Sequence, residues 1–184
     1  MVSTYRLRNA GVDILVVGVG SSIRCGPVLW SALVLLPQCG IVGNGTFAGD
    51  AQARTLESLT PIKVSPTAPE GRVRVCLSYD KAHGDQDRTS AALEATGVAT
   101  TPIRIDSQCK YAMVASGRAD LYLRLAREGY QEKSWDHAAG CAVVRAAGGL
   151  VESATGEPLR IKGRWVDAPG GIVVRTNAVN VPAS

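Results

Sequence analysis

The sequence has no Cys-x-x-Cys pair, no run of charged residues and few aromatic side chains. Without a Cys-x-x-Cys pair, neither a zinc knuckle nor a redox motif is supported. Aromatic residues make up only 5% of the chain, too few to predict stacking platforms for single-stranded nucleic acid. Lysine and arginine are scattered and the net charge is +4, so no nucleic-acid surface is indicated. No apolar run is long enough to span a bilayer. We therefore expect neither nucleic acid nor a membrane as a partner.

What the sequence does contain fits one globular domain. Its 184 residues suffice for one domain with a core and are too few for two ordinary ones. Hydrophobic residues make up 46% and charged residues 20%, which is normal for a soluble protein. We interpret the widely spaced cysteines as reduced, mostly buried apolar side chains of an intracellular, cytoplasmic protein. They are Cys25, Cys39, Cys76, Cys109 and Cys141.

Residues 10–48 are nearly uncharged and are open to more than one interpretation. Two arginines precede an apolar stretch, as in a signal peptide, but Asp13 interrupts that stretch. Buried strands fit better. A Gly-x-Gly-x-x-Gly pattern begins at Gly18 but has Ile23 in the place of its third glycine. A dinucleotide site is therefore only weakly supported.

Strand and helix patterns alternate along the chain. Strands are predicted at residues 12–19, 28–36, 40–43, 72–78, 102–105 and 121–125, and helices at 89–95, 107–116 and 136–147. The proline-rich stretch 60–72 is predicted to be a loop, and residues 150–152 are predicted to pair with 171–175. Asp106 is predicted to cap the second helix and Gly117 to end it. This alternation predicts an α/β layered domain.

The most informative stretch is residues 133–149, Lys-Ser-Trp-Asp-His-Ala-Ala-Gly-Cys-Ala-Val-Val-Arg-Ala-Ala-Gly-Gly. Asp136 is predicted to be the N-cap or first-turn residue of a helix, because the alanine-rich run after it has high helix propensity. A helix N-terminus favours anions, and the small side chains of Ala138, Ala139 and Gly140 would let a charged ligand approach the backbone. The pattern predicts a metal–phosphate site; the alternative is an ordinary capped helix packed through small residues.

Several other polar residues are candidates for binding an anion. Ser107 and Lys110 are three residues apart, so they share one face of the predicted helix, where a hydroxyl and an ammonium suit a phosphate. The alternative is a capped helix with a solvated lysine. Arg124 stands alone among apolar strand residues and needs a partner, for which a phosphate or an adenine ring face would serve. Glu132 and Lys133 are predicted to form a local ion pair.

Three linked motifs resemble a known family. Residues 135–149 resemble the second signature of the inositol monophosphatase superfamily, which is Trp-Asp, one variable residue, Ala-Ala-Gly and a later Gly-Gly pair. Residues 105–111, 119–125 and 129–140 resemble its 3'(2'),5'-bisphosphate nucleotidase branch in particular. The resemblance covers roughly residues 40–175.

This resemblance implies a layered α/β sandwich of the inositol monophosphatase/sugar phosphatase type, in an incomplete form. The superfamily's first signature, Asp-Pro-Ile/Leu-Asp-Gly-Thr, is absent from the sequence. Residues 40–184 would then be the C-terminal part of a bisphosphate nucleotidase-like phosphatase domain. Residues 1–39 would be a divergent or misread N-terminal lead. A truncated gene model, a splice product or a decayed copy would each produce such a sequence.

The function implied by the resemblance is Mg²⁺-dependent hydrolysis of a small molecule, adenosine 3',5'-bisphosphate, to AMP and phosphate. Asp136 would be the catalytic residue, binding Mg²⁺ and helping to orient the substrate, while His137 in the variable position would be structural. The other implied substrate-binding residues are His83, Ser107, Lys110 and Arg124. Because the missing signature supplies two further metal-binding aspartates, two alternatives stay open. One is a catalytically inactive adenine-nucleotide-binding fragment, and the other is an inositol polyphosphate phosphatase.

Overall fold

The computed structural model describes residues 2–9, 12–19, 38–41, 45–48, 57, 59–66, 72–79, 84–106 and 108–179. Within them the strands are β1 (Val2–Asn9), β2 (Val12–Val19), β3 (Gln38–Ile41), β4 (Gly45–Ala48), β5 (Thr60–Ile62), β6 (Val73–Leu77), β7 (Thr100–Arg104), β8 (Leu121–Leu125), β9 (Leu150–Ser153), β10 (Arg160–Lys162), β11 (Trp165–Asp167) and β12 (Gly171–Arg175). The α-helices are α1 (Gln86–Ala95), α2 (Cys109–Ala115) and α3 (Ala138–Ala146), and a 3-10 helix spans Ser134–Asp136.

The strands form two five-stranded sheets and a hairpin. The first sheet is antiparallel throughout, in the order β1-β2-β3-β4-β5. The second has the order β7-β6-β8-β12-β9. In that sheet β6 runs parallel to both β7 and β8, and β12 runs antiparallel to β8 and β9. The carboxyl ends of three parallel strands therefore meet at one edge of the second sheet.

Helices α2 and α3 lie between the two sheets. The Thr46 hydroxyl on β4 donates to the Val143 carbonyl on α3 over 2.9 Å, and the other face of α3 packs into a core that includes Ile172 of β12. A second core, with Leu93 of α1 and Leu123 of β8, lies on the opposite face of the second sheet. The order of layers is sheet, helices, sheet, helix, which confirms the predicted α/β layered sandwich.

The strands around the centre of the second sheet agree best with the sequence. Strand β8 has the predicted bounds 121–125. Strand β9 pairs with β12 as predicted, with Val151 opposite Val174 and Glu152 opposite Val173. The predicted strand 28–36 lies outside the described residues.

Other boundaries differ from the predictions. Strand β5 lies inside the predicted loop 60–72, and the first helix begins three residues early, because the Asp85 side chain accepts a hydrogen bond from the Arg88 N–H. Helix α2 is capped by Gln108. The sequence predicted Asp106 for this position, two residues earlier, and the structure shows one of its carboxylate oxygens accepting from the Tyr79 N–H at 3.0 Å. The hairpin β10–β11 was not predicted.

The cysteine side chains that the structure describes are buried and form no disulfide bond, as predicted for reduced thiols. These are Cys76, Cys109 and Cys141. Burial raises the pKa of Cys76 to about 12 and that of Cys141 to about 11, so both stay protonated and unreactive at neutral pH. The side chains of Cys25 and Cys39 lie outside what the structure describes. No helix among the described residues is long and apolar enough to cross a membrane.

Asp120 joins three strands of the second sheet at the entrance to β8. Its carboxylate, 0% exposed, accepts from the backbone N–H of Arg74 at 2.8 Å and from the guanidinium at 2.7 and 2.9 Å. Its carbonyl accepts from the Thr176 N–H at 3.0 Å. The Asp120 carboxylate therefore ties the start of β8 to β6, and its backbone carbonyl ties the start of β8 to the residue after β12.

We expect Asp120→Ala to lower the free energy of unfolding by about 2 kcal/mol, because the change leaves a buried N–H and a half-buried guanidinium without a partner. Urea unfolding monitored by circular dichroism measures the loss. Asp167→Ala, which removes the exposed ion pair with Lys162, should unfold like the wild type. Equal effects of the two changes would contradict the assignment.

Candidate active site

Asp136 ends the 3-10 helix and does not begin α3. The N-cap of α3 is His137, whose backbone angles (φ −134°, ψ −35°) separate the two helices. Asp136 is therefore not the helix N-cap that the sequence predicted. Its side chain is exposed, while its backbone carbonyl accepts a hydrogen bond from the Gln108 side chain at the start of α2. The Asp136 carboxylate therefore faces solvent. Its backbone is held by the hydrogen bond from Gln108 to its carbonyl and by the bond from its N–H to the Lys133 carbonyl.

The small residues after Asp136 serve helix packing. A Cβ at Gly140 would lie 2.4 Å from Cγ of Tyr111 and 2.6 Å from Oε1 of Gln108. Since atoms cannot approach so closely, Gly140 is required for α3 to pack against α2. Ala138 and Ala139 are half-buried. The expectation that these residues leave room for a ligand is therefore wrong for Gly140, whose space is filled by Tyr111 and Gln108.

A buried polar chain lies directly behind Asp136. Glu132 accepts from Arg124 Nε over 2.6 Å with one carboxylate oxygen and contacts His137 Nε2 over 2.8 Å with the other. His137 Nδ1 in turn lies 2.7 Å from the Tyr111 hydroxyl. His137 is 2% exposed, in keeping with the predicted structural role. The chain connects β8, the segment before α3, and α2.

The partner of Glu132 is therefore Arg124, eight residues away, and not Lys133 as predicted. The Lys133 ammonium lies 5.8 Å above the Trp135 ring instead. Arg124 needed a counter-charge in its strand, and Glu132 supplies it at Nε; the predicted contact of Arg124 with a phosphate or an adenine ring stays a prediction. The ring of Tyr130 lies 6.0 Å from the guanidinium carbon of Arg124.

Both members of this pair are charged. Burial works to raise the pKa of Glu132, but hydrogen bonds from His137 and Arg124 outweigh it and lower the pKa below the usual value. Burial works to lower the pKa of Arg124, but Tyr122 and Glu132 outweigh it and raise the pKa. The two side chains therefore form an ion pair inside the protein. Loss of either partner would leave the other as a buried charge without a counter-charge.

Lys110 is buried on α2, with 2% of its surface exposed, and its Nζ lies 5.3 Å above the Tyr122 ring. It is not the solvated lysine of the alternative interpretation. Burial lowers the pKa of Lys110 from 10.5 to about 8, against the opposing attraction of Asp106 and together with repulsion by Arg124. The buried Lys110 ammonium thus adds one cation near the Arg124–Glu132 ion pair on this face of β8, and an ammonium suits an anion.

The low pKa of Lys110 makes stability depend on pH. The unfolded chain binds more protons than the folded chain between the folded pKa of about 8 and the unfolded value of 10.5. The contribution of Lys110 to the free energy of unfolding should therefore rise through that window, by about 2 kcal/mol, while Cys76 and Cys141, whose pKa values burial raises, contribute in the opposite direction. Lys110→Met should lose the Lys110 contribution, so its free energy of unfolding should fall relative to that of the wild type between the two pH values. Urea unfolding of both proteins at pH 7.5 and pH 10 measures it, and an equal change in both would contradict it.

His83 and Ser107, the other predicted site residues, lie outside the described residues. Their described neighbours border the site: Gly84 precedes α1, and Gln108 begins α2. Lys110, Arg124 and Asp136 come from α2, β8 and the 3-10 helix, three elements joined by the polar chain. The structure thus brings three of the five predicted residues to one region.

A shallow cleft, open to solvent, lies at the carboxyl ends of the parallel strands, between them and α1, and neither Lys110 nor Asp136 lines it. Its wall includes Arg124 and a residue missed by sequence reasoning, Arg104 at the end of β7. The Arg104 guanidinium donates to the Ser78 carbonyl over 2.9 Å, and the Gln86 side chain donates to the same oxygen over 3.2 Å. Ligands of open α/β sheets bind at this edge, so the parallel pairing of the strands was the signal that could have identified Arg104.

The described residues do not complete a magnesium site. No three histidine, cysteine, aspartate or glutamate side chains within them come together around one point, and Asp136 is a single exposed carboxylate. Mg²⁺ takes six oxygen ligands, commonly one or two carboxylates with waters and substrate phosphates. Asp136 can supply one ligand, and no step through the metal follows from the described residues.

The fold is that of known phosphatase-family structures. A structure of CysQ from Bacteroides thetaiotaomicron, a bacterial member of the inositol monophosphatase family, superposes with a TM-score of 0.63 over 97% of this chain and 63% of that chain, at 23% identity. Inositol monophosphatase from Anabaena superposes with a TM-score of 0.56 over 96% of this chain and 61% of that chain, also at 23% identity. These similarities establish the layered class of fold.

The sequence matches the inositol monophosphatase family model over residues 37–181, and the chain belongs to that family. It is similar to the 3'(2'),5'-bisphosphate nucleotidase of Oryza sativa, with 40% identity over 149 residues, 79% of this chain and 41% of the relative. It is also similar to the 3',5'-bisphosphate nucleotidase 2 of Arabidopsis thaliana, with 35% identity over 138 residues, 73% of this chain and 38% of the relative. The chain thus spans about two fifths of these relatives.

Proposed function

We propose that this chain is a metal-dependent phosphatase of the 3'(2'),5'-bisphosphate nucleotidase type, which hydrolyses adenosine 3',5'-bisphosphate to AMP and phosphate. The observation that carries the proposal is Asp136, exposed in the Trp-Asp-x-Ala-Ala-Gly signature and held by α2 and the polar chain. The nucleotidase names of the similar proteins support the same type of reaction. Residues 40–184 would be the C-terminal part of the phosphatase domain, with residues 1–39 as a divergent or misread N-terminal lead.

In this proposal Asp136 is one ligand of Mg²⁺ and helps to orient the substrate. Bound Mg²⁺ would activate a water and stabilise charge on the phosphoryl group. Its remaining ligands would have to be substrate phosphates, waters or carboxylates outside the described residues. Lys110 and Arg124, with His83 and Ser107, would hold the nucleotide, since a buried ammonium and guanidinium offer charge and hydrogen bonds to it.

Substrate class tests the proposal. Phosphate release by the full chain should be faster from adenosine 3',5'-bisphosphate than from inositol 1,4-bisphosphate at equal concentrations with Mg²⁺. The nucleotidase-like segment Tyr130–His137 is the reason for this preference. A preference for the inositol compound would instead favour an inositol polyphosphate phosphatase, and release from neither would refute the proposed phosphatase activity.

A second candidate function is nucleotide binding without hydrolysis. The observation that favours it is the absence of the Asp-Pro-Ile/Leu-Asp-Gly-Thr signature from the sequence, because Asp136 is then the sole carboxylate recognised from the metal set. Isothermal titration with adenosine 3',5'-bisphosphate separates the two functions. Binding without phosphate release would support the second candidate, whereas binding with release supports the first.

A further inference from the structure

We infer that Glu132 is a positioning residue that holds the substrate-side guanidinium of Arg124 and the segment carrying Asp136 in one fixed relation. The inference rests on the proposed function for the roles of Arg124 and Asp136, and on the structure for the connection between them. Glu132 itself contacts neither a ligand nor Asp136. It would act through the two side chains that its carboxylate holds.

The two carboxylate oxygens of Glu132 are divided between two elements. Oε1 lies 2.6 Å from Arg124 Nε on β8, and Oε2 lies 2.8 Å from Nε2 of His137, the residue after Asp136. The Glu132 side chain is 2% exposed, so water does not compete for either contact. Two short, charge-assisted hydrogen bonds to one carboxylate therefore fix the positions of Arg124 and His137 relative to each other.

The backbone around Glu132 is fixed as well. Its carbonyl accepts from the Val166 N–H on β11 over 2.9 Å, and the Ser134 N–H donates to the Arg164 carbonyl over 3.0 Å. On the far side of His137, Nδ1 meets the Tyr111 hydroxyl on α2. A neutral imidazole with its proton on Nε2 satisfies both neighbours, since Tyr111 then donates and Glu132 accepts. Glu132 thus connects β8, β11 and the segment that carries Asp136. His137 extends this connection to α2 through Tyr111.

Stability alone does not explain this arrangement. Buried ion pairs contribute little net stability compared with well-packed apolar groups, whereas they determine orientation well. Residues that support ligand-binding side chains commonly alter affinity or activity by about 10- to 100-fold when they are changed. A change at Glu132 should therefore alter the geometry of Arg124 and Asp136 in addition to lowering stability, because it leaves Arg124 without its counter-charge.

Glu132→Gln tests the inference in the full chain, because glutamine keeps the size but offers one acceptor oxygen in place of two. Glu152→Gln is the matched control: Glu152 pairs with Arg175 over 3.0 Å, between β9 and β12 and away from the site. In ¹⁵N spectra, Glu132→Gln should shift the Arg124 Nε–H and Trp135 indole signals, and Glu152→Gln should shift neither. Titration should show affinity for adenosine 3',5'-bisphosphate about tenfold weaker in Glu132→Gln only.

The two readouts separate the inference from the proposed function. Unshifted Arg124 and Trp135 signals in a folded Glu132→Gln protein would overturn the inference, even if that protein melted earlier. If the wild type binds the nucleotide tightly and Glu132→Gln binds it equally tightly, the inference is also overturned. If the wild type binds no nucleotide, the proposed function fails and the spectra alone decide the inference. If Glu132→Gln does not fold, Arg124→Lys breaks the same pair from the other end and should likewise shift the Trp135 indole signal.

Discussion

Replacing Gly171 by alanine is expected to lower the free energy of unfolding by about 4 kcal/mol, a large part of the roughly 5–15 kcal/mol that stabilises a typical domain. A Cβ at this position would lie 2.3 Å from the Arg124 carbonyl oxygen and 2.7 Å from the Leu125 Cα. Both atoms belong to the backbone of β8, which pairs with β12 here and cannot move aside. The φ of +132° adds strain for any residue with a side chain.

Gly163→Ala is the matched control for Gly171→Ala. Gly163 also has a positive φ, +61°, but nothing lies within 4 Å of its missing Cβ. Gly163→Ala should therefore lower the free energy of unfolding through backbone strain alone, by about 1 kcal/mol. Urea unfolding of the two variants measures the difference. Similar losses would show that β12 does not approach β8 as closely as the structure has it.

Replacing Asp136 by asparagine is expected to reduce magnesium-dependent phosphate release at least about 100-fold, since even residues that only support metal ligands alter activity by about 10- to 100-fold. Asparagine keeps the shape of the side chain but removes the charge that attracts Mg²⁺. The side chain is exposed, and the contact to Gln108 uses its backbone carbonyl. The substitution should therefore leave the fold unchanged.

The loss is measured as the rate of phosphate release from adenosine 3',5'-bisphosphate at saturating Mg²⁺, beside the melting temperature. Glu94→Gln removes an exposed carboxylate near the end of α1, away from the site, and should release phosphate like the wild type. A full rate in a folded Asp136→Asn protein would contradict a role of this carboxylate in the reaction.

The parts of the fold that the sequence predicted well are those determined by local pattern. Strand β8 has both faces buried, and its hydrophobic pattern, interrupted by Arg124, begins after Asp120 and gives way to the charged residues 127 and 128. The pairing of β9 with β12 followed from two apolar segments in a layered domain. Such patterns extend over only a few residues, so they can be recognised without knowledge of the tertiary structure.

Features that depend on distant side chains were not predicted. Asp106 looked like a helix cap, but its carboxylate bonds to Tyr79, 27 residues away in sequence. Glu132 looked like a partner for its neighbour Lys133, yet burial places it against Arg124. In both cases several partners were chemically equivalent in the sequence, and only the packing of strands and helices selected one.

The candidate site was only partly predictable from the sequence, because part of it depends on how distant strands pair. The signature around Asp136 and the resemblance predicted the site residues, and Asp136, Lys110 and Arg124 lie on elements that pack against one another; their roles in binding stay a prediction. The burial of Lys110 and the presence of Arg104 at the sheet edge depend on which strands run parallel. That pairing is a property of the whole second sheet, so no local pattern could reveal it.

The central claim is that this chain is a metal-dependent phosphatase acting through Asp136. Phosphate release from adenosine 3',5'-bisphosphate by the purified full chain, with Mg²⁺ and with a chelator, tests it most directly. We predict release that requires Mg²⁺ and disappears in Asp136→Asn. A folded wild-type chain that binds the nucleotide but releases no phosphate at any Mg²⁺ concentration would contradict the claim and identify a nucleotide-binding protein instead.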